Sequence, residues 1–425
     1  MFHKYIYLLG EKICNPMIQP AFKELKQSDF APLEELQAIQ LNRLKKLLFH
    51  AKDHSPFYAD KLTLLDIENI TLSDLSRIPI LSKKDLYENI DTILNNPKDK
   101  KLIKSETSGS TGDALIFYRS QEWDAYHRAA QYRGYSWYNI NPWDKNIYFW
   151  GFNPNWKELL KTRLLDFLMN RYRIFSFDDS ILDKTSKVLK KCCYVEGYSS
   201  AVFELAQHMK KKGLTYSNVK LVKGTSEKVY DYYHDSVKNA FGQKMVSEYG
   251  AAETGIIAFE CPYGNMHIIM ENVIVEVIED KIVVTNLHSD SFPIIRYELG
   301  DYVVLDNEAK CPCGREHKII KEVTGRVGKK IYGKNGRYPT LTLYYIFKNI
   351  ALVHGIQLAY FGTQYKKGEL ELKVMQTKED KVLLTQYIWE ESKKYFGMDV
   401  DIKVDFIQEF ERNNKKIKDF ESYIE

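Results

Sequence analysis

Ser105-Glu-Thr-Ser-Gly-Ser-Thr-Gly112 is the stretch on which the reading of this chain turns. All but one of its residues are small or hydroxylated, and the apolar run Ile116-Phe-Tyr118 follows. Glycine lets the backbone reach φ > 0 and lie close to a ligand. Successive backbone N–H groups in such a turn form a nest for an anion, and hydroxyls add donors. A phosphate is the natural guest. A hydroxyl-rich hairpin turn is the ordinary alternative for this stretch alone, and no Gly-Lys-Ser/Thr follows to make it a P-loop. Its neighbours along the chain decide between the two.

Upstream, Leu33, Leu36, Ile39, Leu44, Leu47 and Leu48 recur at helical spacing over residues 33–51. Ile78-Pro-Ile-Leu-Ser82, with Asp85 three residues on, reads as a strand or turn entering an N-capped helix. Downstream, residues 121–138 and Ser199 to Lys212 read as helices. Ile147 to Gly151, Lys220 to Gly224 and Lys244 to Ser247 read as short strands. Strands alternating with helices over residues 100–255 predict an α/β fold with a substantial parallel sheet. From about residue 256 the runs 267–270, 273–278, 281–287 and 302–305 are closely spaced and β-type, which predicts an antiparallel sheet or small barrel. After a break near Gly325-Arg-Val-Gly328, the remainder reads αββαβ. The expected organisation is a large domain over 1–325 and a small α+β domain over 326–425.

At 425 residues the chain is too long for one compact unit, and 44% hydrophobic residues supply a large core. A net charge of +4 from 61 basic and 57 acidic residues is near balance and argues against nucleic acid as a partner. No apolar run approaches the ~18 residues a membrane span needs. Glu11 and Lys12 interrupt the first apolar segment before a signal-peptide core could form. A cytoplasmic location is the resulting expectation. There, six cysteines should remain free of structural disulfides.

Four further segments follow the hydroxyl-rich loop in a fixed order. They are Ser247-Glu-Tyr-Gly-Ala-Ala-Glu-Thr-Gly255, Pro293-Ile-Ile-Arg-Tyr-Glu-Leu-Gly-Asp301, Val323-Thr-Gly-Arg-Val-Gly-Lys329 and Arg412-Asn-Asn-Lys-Lys-Ile-Lys418. Together with the loop they resemble the adenylate-forming superfamily of acyl-CoA synthetases, adenylation domains and luciferases, over nearly the whole chain. Ile78-Pro-Ile-Leu-Ser-Lys83, Glu196-Gly-Tyr-Ser-Ser200 and Cys311-Pro-Cys-Gly-Arg315 resemble the phenylacetate–CoA ligase branch and its CapK-type relatives, which are linked to capsular polysaccharide synthesis.

The resemblance implies ATP-dependent activation of a carboxylic acid as acyl-AMP, followed by acyl transfer, with CoA the expected acceptor. It also implies that the small α+β domain is mobile. The alternative acceptor is a sugar amine or hydroxyl. A non-catalytic nucleotide- or zinc-binding scaffold is the third reading. Such chemistry spreads negative charge over phosphate oxygens, so it calls for donors and cations. By resemblance, Ser108, Gly109, Ser110, Thr111 and Gly112 hold the β- and γ-phosphates, and Glu253 holds Mg²⁺. Tyr249 lies on the adenine, which the Thr225-Ser226-Glu227 turn borders, and Gly250 beside it is a further nucleotide-binding candidate. Asp301 takes the ribose hydroxyls, and Arg326 joins it from the hinge. Lys416 matches the lysine that reaches the substrate carboxylate and α-phosphate. Two departures from the family pattern stand out. Asp113-Ala114 replaces the usual Pro-Lys, and Lys415-Lys416 replaces Gly-Lys, so Lys415 is the alternative to Lys416. Trp150, Phe152, Tyr198 and Ser199 are the candidates for the acid pocket, and their aromatic character suggests an apolar or aryl acid.

Cysteine spacing gives a second constellation. Cys261-Pro-Tyr-Gly-Asn-Met-His267 and Cys311-Pro-Cys313 offer three thiolates and one imidazole, the donor set of a closed, structural Zn²⁺ site. Buried free cysteines are the alternative. Cys192 and Cys193 read as core, and Cys14 as incidental.

Overall fold

The computed structural model describes residues 2–94, 101–107, 115–149, 156–174, 179–227, 229, 231–279, 281–306, 308–324, 330–339, 341–356, 358, 360–375, 378–408 and 420–424. Its framework is one 11-stranded sheet. From edge to edge the strands run Val273–Ile278, Lys281–Asn286, Tyr297–Asp306, Ile319–Thr324, Met266–Ile268, Gly255–Glu260, Val246–Ala251, Leu221–Thr225, Tyr194–Tyr198, Asn146–Phe149 and Arg171–Arg173. The five from Val246–Ala251 onward are mutually parallel, as the alternation of strands and helices predicts.

Apolar runs with no polar alternation suit strands covered on both faces. Val195 and Val222 point into a core that holds Val202, Leu205 and Met209 of helix Ser199–Lys211. Their neighbours Tyr194, Leu221 and Val246 point the other way, against Ala125, Ala129 and Tyr132 of helix Gln121–Ser136. That helix approaches the sheet closely at Gly134, where any side chain would collide with the Phe259 ring. Each buried Val or Leu contributes about 1.5–3 kcal/mol, so the two-sided cover fixes the sheet between helical layers.

The antiparallel strands after residue 255 are present, but they do not form a separate sheet or barrel. Gly255–Glu260 folds back on Val246–Ala251, and the ladder continues without interruption. Helix Leu33–His54 and the capped helix Lys83–Glu88 pack on this half. At the latter, the Ser82 side chain accepts from the Asp85 backbone N–H, and the Asp85 carboxylate accepts from the Ser82 N–H at 2.8 Å. This is the capping box read from the sequence.

The small C-terminal domain follows. Helices Leu341–His354 and Lys381–Phe396 cover a mixed four-stranded sheet in the order Asp401–Ile407, Glu369–Met375, Tyr360–Gln364, Phe420–Ser422. Among the described residues, its core draws on side chains between Ile331 and Phe420. The αββαβ order is as expected, with an antiparallel pair, Lys330–Tyr332 and Arg337–Pro339, before it and a further strand, Phe420–Ser422, at the end. The expected boundary at 325/326 lies outside the described residues. Polar contacts join the two domains: Tyr198 Oη meets Tyr345 Oη at 2.8 Å, and Lys348 pairs with Glu106 at 3.0 Å. Lys330 also pairs with Glu204.

Candidate functional site

Two clusters of chemically active side chains emerge, one at the carboxyl ends of the parallel strands and one across the antiparallel half. At the first, strand Leu221–Thr225 runs into the turn Ser226-Glu227, where Ser226 adopts φ 66°. The turn is tied to the start of helix Ser199–Lys211. Ser199 Oγ donates to the Glu227 carbonyl at 2.9 Å, and the Ser200 N–H donates to the Glu227 carboxylate at 2.9 Å. Burial raises the Glu227 carboxyl above its ordinary range, against the Ser200 hydrogen bonds. Ser199 is therefore committed to holding the turn.

Beside this turn, Thr225 is paired in the ladder with Glu248. The next residue, Tyr249, donates its hydroxyl to the Asp301 carboxylate at 2.9 Å. Thr225, Ser226, Tyr249, Gly250 and Asp301 all keep accessible surface, and the Tyr249–Asp301 bond draws them into one open row. A side chain at Gly250 would strike the Gly255 carbonyl, which explains the glycine after Tyr249. Glu253 is buried, and its carboxylate accepts from Tyr297 Oη at 3.2 Å. Tyr297 stands inside the Pro293–Asp301 motif, so its aromatic ring between charged neighbours was available as a signal.

The hydroxyl-rich loop is framed by an antiparallel pair, Ile103–Glu106 with Ile116–Arg119. Thr107 N–H donates to the Leu115 carbonyl at 3.0 Å, and Leu115 N–H donates to Thr107 Oγ1 at 3.0 Å, which closes the two ends of the loop together. Ser108, Gly109, Ser110, Thr111 and Gly112 lie outside the described residues. So do Trp150, Phe152, Arg326, Lys415 and Lys416. Tyr198 is buried at the domain junction, in contact with Tyr345.

The second cluster joins His267, on the strand Met266–Ile268, to cysteines in two turns. One donor atom from each of Cys261, His267, Cys311 and Cys313 lies within 4.8 Å of all the others. The Cys261 and Cys311 sulfurs are 3.6 Å apart, and Cys313 Sγ is 3.3 Å from His267 Nε2. Two thiolates at tetrahedral Zn–S distances of ~2.3 Å would stand about 3.7 Å apart. His267 Nδ1 donates to the His317 carbonyl at 3.1 Å, which leaves Nε2 turned to the sulfurs as an acceptor. Burial holds the imidazole down at about 4, so it is neutral near pH 7. Burial also pushes the Cys261 thiol up to about 12, and only a cation among the sulfurs would make it a thiolate. The donor chemistry and spacing fit Zn²⁺.

A buried ionic network surrounds that cluster, and it had no signature in the sequence. Arg133 binds Glu271 at 2.6 and 3.1 Å, and His317 Nε2 lies 3.1 Å from the same carboxylate. Burial opposes ionisation of Glu271, but Arg133 and His317 outweigh it and hold the carboxyl well below its ordinary value. Asp29 receives Arg315 at 3.3 Å and Trp137 Nε1 at 3.0 Å. Asn265, inside the first cysteine knuckle, donates to Cys311 Sγ at 3.1 Å.

No established family profile matches the sequence. One curated protein, Protein CapK of Staphylococcus aureus, is 24% identical over 334 residues, covering 72% of this chain and 70% of its own. Among solved structures, 2-hydroxyisobutyryl-CoA ligase in complex with 2-HIB-AMP and CoA, in the thioesterification state, superposes with a TM-score of 0.63 at 18% identity. The match covers 93% of this chain and 91% of the ligase. The same ligase in its postadenylation state gives a TM-score of 0.59 over the same shares. This is the adenylate-forming ligase fold. It spans both the large and the small domain, and the CapK similarity agrees with the CapK-like branch that the sequence motifs resemble.

Proposed function

We propose that this protein activates a carboxylic acid with ATP. The substrate carboxylate oxygen attacks the α-phosphorus, the bond to pyrophosphate breaks, and acyl-AMP forms. A thiol, expected to be that of CoA, then attacks the acyl carbon and releases AMP. The observation that carries this reading is the Tyr249–Asp301 hydrogen bond beside the Thr225–Glu227 turn, on the edge of an adenylate-forming fold. A flat ring and a carboxylate, held together and open to solvent, suit a nucleoside: the ring stacks on a base, and the carboxylate accepts from two vicinal hydroxyls.

In this assignment the Ser108–Gly112 loop receives the phosphates and Arg326 joins Asp301. Lys416 contacts the reacting carboxylate and α-phosphate. Glu253 would hold Mg²⁺, which would supply positive charge against the phosphates. The Tyr297 hydrogen bond orients that carboxylate before any ligand arrives. Zn²⁺ at Cys261, His267, Cys311 and Cys313 is assigned a structural part, because four protein donors leave no position for substrate.

The similarity to CapK supports a second reading of the last step, in which a sugar amine or hydroxyl takes the acyl group directly. One experiment addresses both. Pyrophosphate release is screened over aryl, fatty, hydroxy and amino acids, with and without CoA. Acid-dependent release supports adenylation, and a CoA-dependent thioester selects the first acceptor. Release that no acid stimulates, in protein that binds ATP, would leave only the scaffold reading.

A further inference from the structure

The N-terminal helix Phe2–Cys14 carries Phe2, Tyr5, Leu9 and Ile13 along one face, at the three- and four-residue spacing that normally marks a buried stripe. Here the stripe faces solvent. Helix Trp156–Leu168 adds Leu160, Leu164, Leu165 and Phe167. Each of these eight residues keeps between 46% and 73% of its surface exposed. The helices touch: the His3 ring meets the Phe167 ring edge-on at 5.8 Å, and His3 Nδ1 lies 3.4 Å from the Leu168 carbonyl. The two exposed stripes therefore adjoin. Isolated surface leucines need no explanation, but a patch of this kind on two packed helices does.

Charge on the same helices is sorted by direction. The acidic side chains that the structure describes turn inward: Glu11 is buried and accepts from Gln19 at 2.6 Å, and Asp166 is clamped by Arg173 through two bonds of 2.9 Å. Lys4, Lys12, Lys161 and Arg163 face solvent. Among the described side chains of these helices, every exposed carboxylate is absent and every exposed full charge is positive. An apolar face edged by cations is the arrangement of a helix that lies in the headgroup layer of a bilayer. It is poorly suited to a two-fold dimer, in which like patches meet and these cations would oppose one another. No helix among the described residues is long and apolar enough to cross a membrane, so the mode is surface attachment.

We propose that helices Phe2–Cys14 and Trp156–Leu168 form a docking surface for an anionic lipid bilayer. The attachment is independent of the acid-activating reaction. It would keep the protein at the membrane face, where a lipid-borne acid or acceptor is within reach.

The test is flotation of the full chain with vesicles of phosphatidylcholine alone, or of phosphatidylcholine mixed with phosphatidylglycerol, at low and high salt. The protein should float with the anionic vesicles, less so at high salt, and little with the neutral ones. Leu9→Glu combined with Leu164→Glu should weaken binding about tenfold or more. Lys12→Gln and Lys161→Gln should each weaken it roughly fivefold. All four substitutions are at exposed positions, so the melting temperature should hold, which separates lost docking from lost folding. Folded wild-type protein that ignores anionic vesicles overturns the proposal, as does a double variant that binds them equally well. A dimer that Leu9→Glu dissociates, without vesicle binding, would reassign the face to a second copy of the chain.

Discussion

The Cys/His cluster and the Tyr249–Asp301 row lie in one sheet, yet they are built on opposite principles. The cluster is inward and saturated: four donors face one another, Asn265 and the His317 carbonyl support them, and an ionic network closes the surround. The row is outward and only partly satisfied, with Thr225, Ser226, Gly250 and Asp301 open to solvent. His267 pairs with Phe259, and Phe259 pairs with Glu248, so the two sites are two strands apart. At ~4.8 Å per strand this is about 10 Å. Proximity has not blended them. A group whose bonds are all met by protein contributes to folding, and a group held in place with capacity to spare is available to a ligand.

That contrast predicts separable losses. The largest should come from the residues assigned to the reaction. Glu253→Gln and Lys416→Ala should each cost ~10²–10³ in pyrophosphate release, or about 2.7–4 kcal/mol, with little change in melting temperature. Lys415→Ala should be mild. A dominant Lys415 effect would move the reacting lysine by one position, and equal small effects would remove the tail from the mechanism. With Lys416→Ala, synthetic acyl-AMP should still be consumed with the acceptor, which locates the loss in the first half-reaction.

The cluster should give the converse result. Metal analysis of the wild type should find about one zinc per chain. Cys311→Ser should lower the melting temperature by several degrees, at roughly 2–4 °C for each kcal/mol, while pyrophosphate release at low temperature changes little. If Cys311→Ser abolished release in protein that melts normally, the division between the sites would fail.

Smaller effects sharpen the line. Asp301→Asn should raise the KM for ATP by about tenfold through loss of a charge-assisted acceptor, with kcat less affected. The mildest expectation concerns acid. The Glu271 carboxyl is depressed in the folded protein, so its stabilisation is complete above the ordinary glutamate value of about 4.3 and disappears as pH falls through the depressed value. Urea midpoints of Glu271→Gln should therefore vary less with pH below about 4.3 than those of the wild type. Its pyrophosphate release at neutral pH should be near normal.

What could be read in advance followed from locality. Helix Leu33–His54, the Ser82 cap and the αββαβ order of the small domain are each specified by spacing within a short window. The gathering of Cys261, His267, Cys311 and Cys313 was equally legible, from cysteines spaced in Pro- and Gly-rich turns. The joining of parallel and antiparallel halves into one sheet was not legible, since it depends on which strands pair across long separations. Arg133, Glu271 and His317 were hidden for a related reason. An arginine on the helix Gln121–Ser136 looks like a surface residue until a carboxylate 138 positions away meets it in the interior. Tyr345 and Lys348 escaped notice because the partners that give them meaning, Tyr198 and Glu106, lie across a domain junction.

The strand order has a consequence for how the protein is made. Ile319–Thr324 is the last of the eleven strands in sequence, yet it sits inside the sheet, between Tyr297–Asp306 and Met266–Ile268. Until the ribosome has released it, the sheet exists as two fragments, each with an unpaired edge where this strand will later enter. Exposed edges of that kind template aggregation. A nascent chain halted before residue 319 should therefore depend heavily on chaperones. One carried past residue 324 has the keystone in hand and can close the large domain while the small one is still being translated.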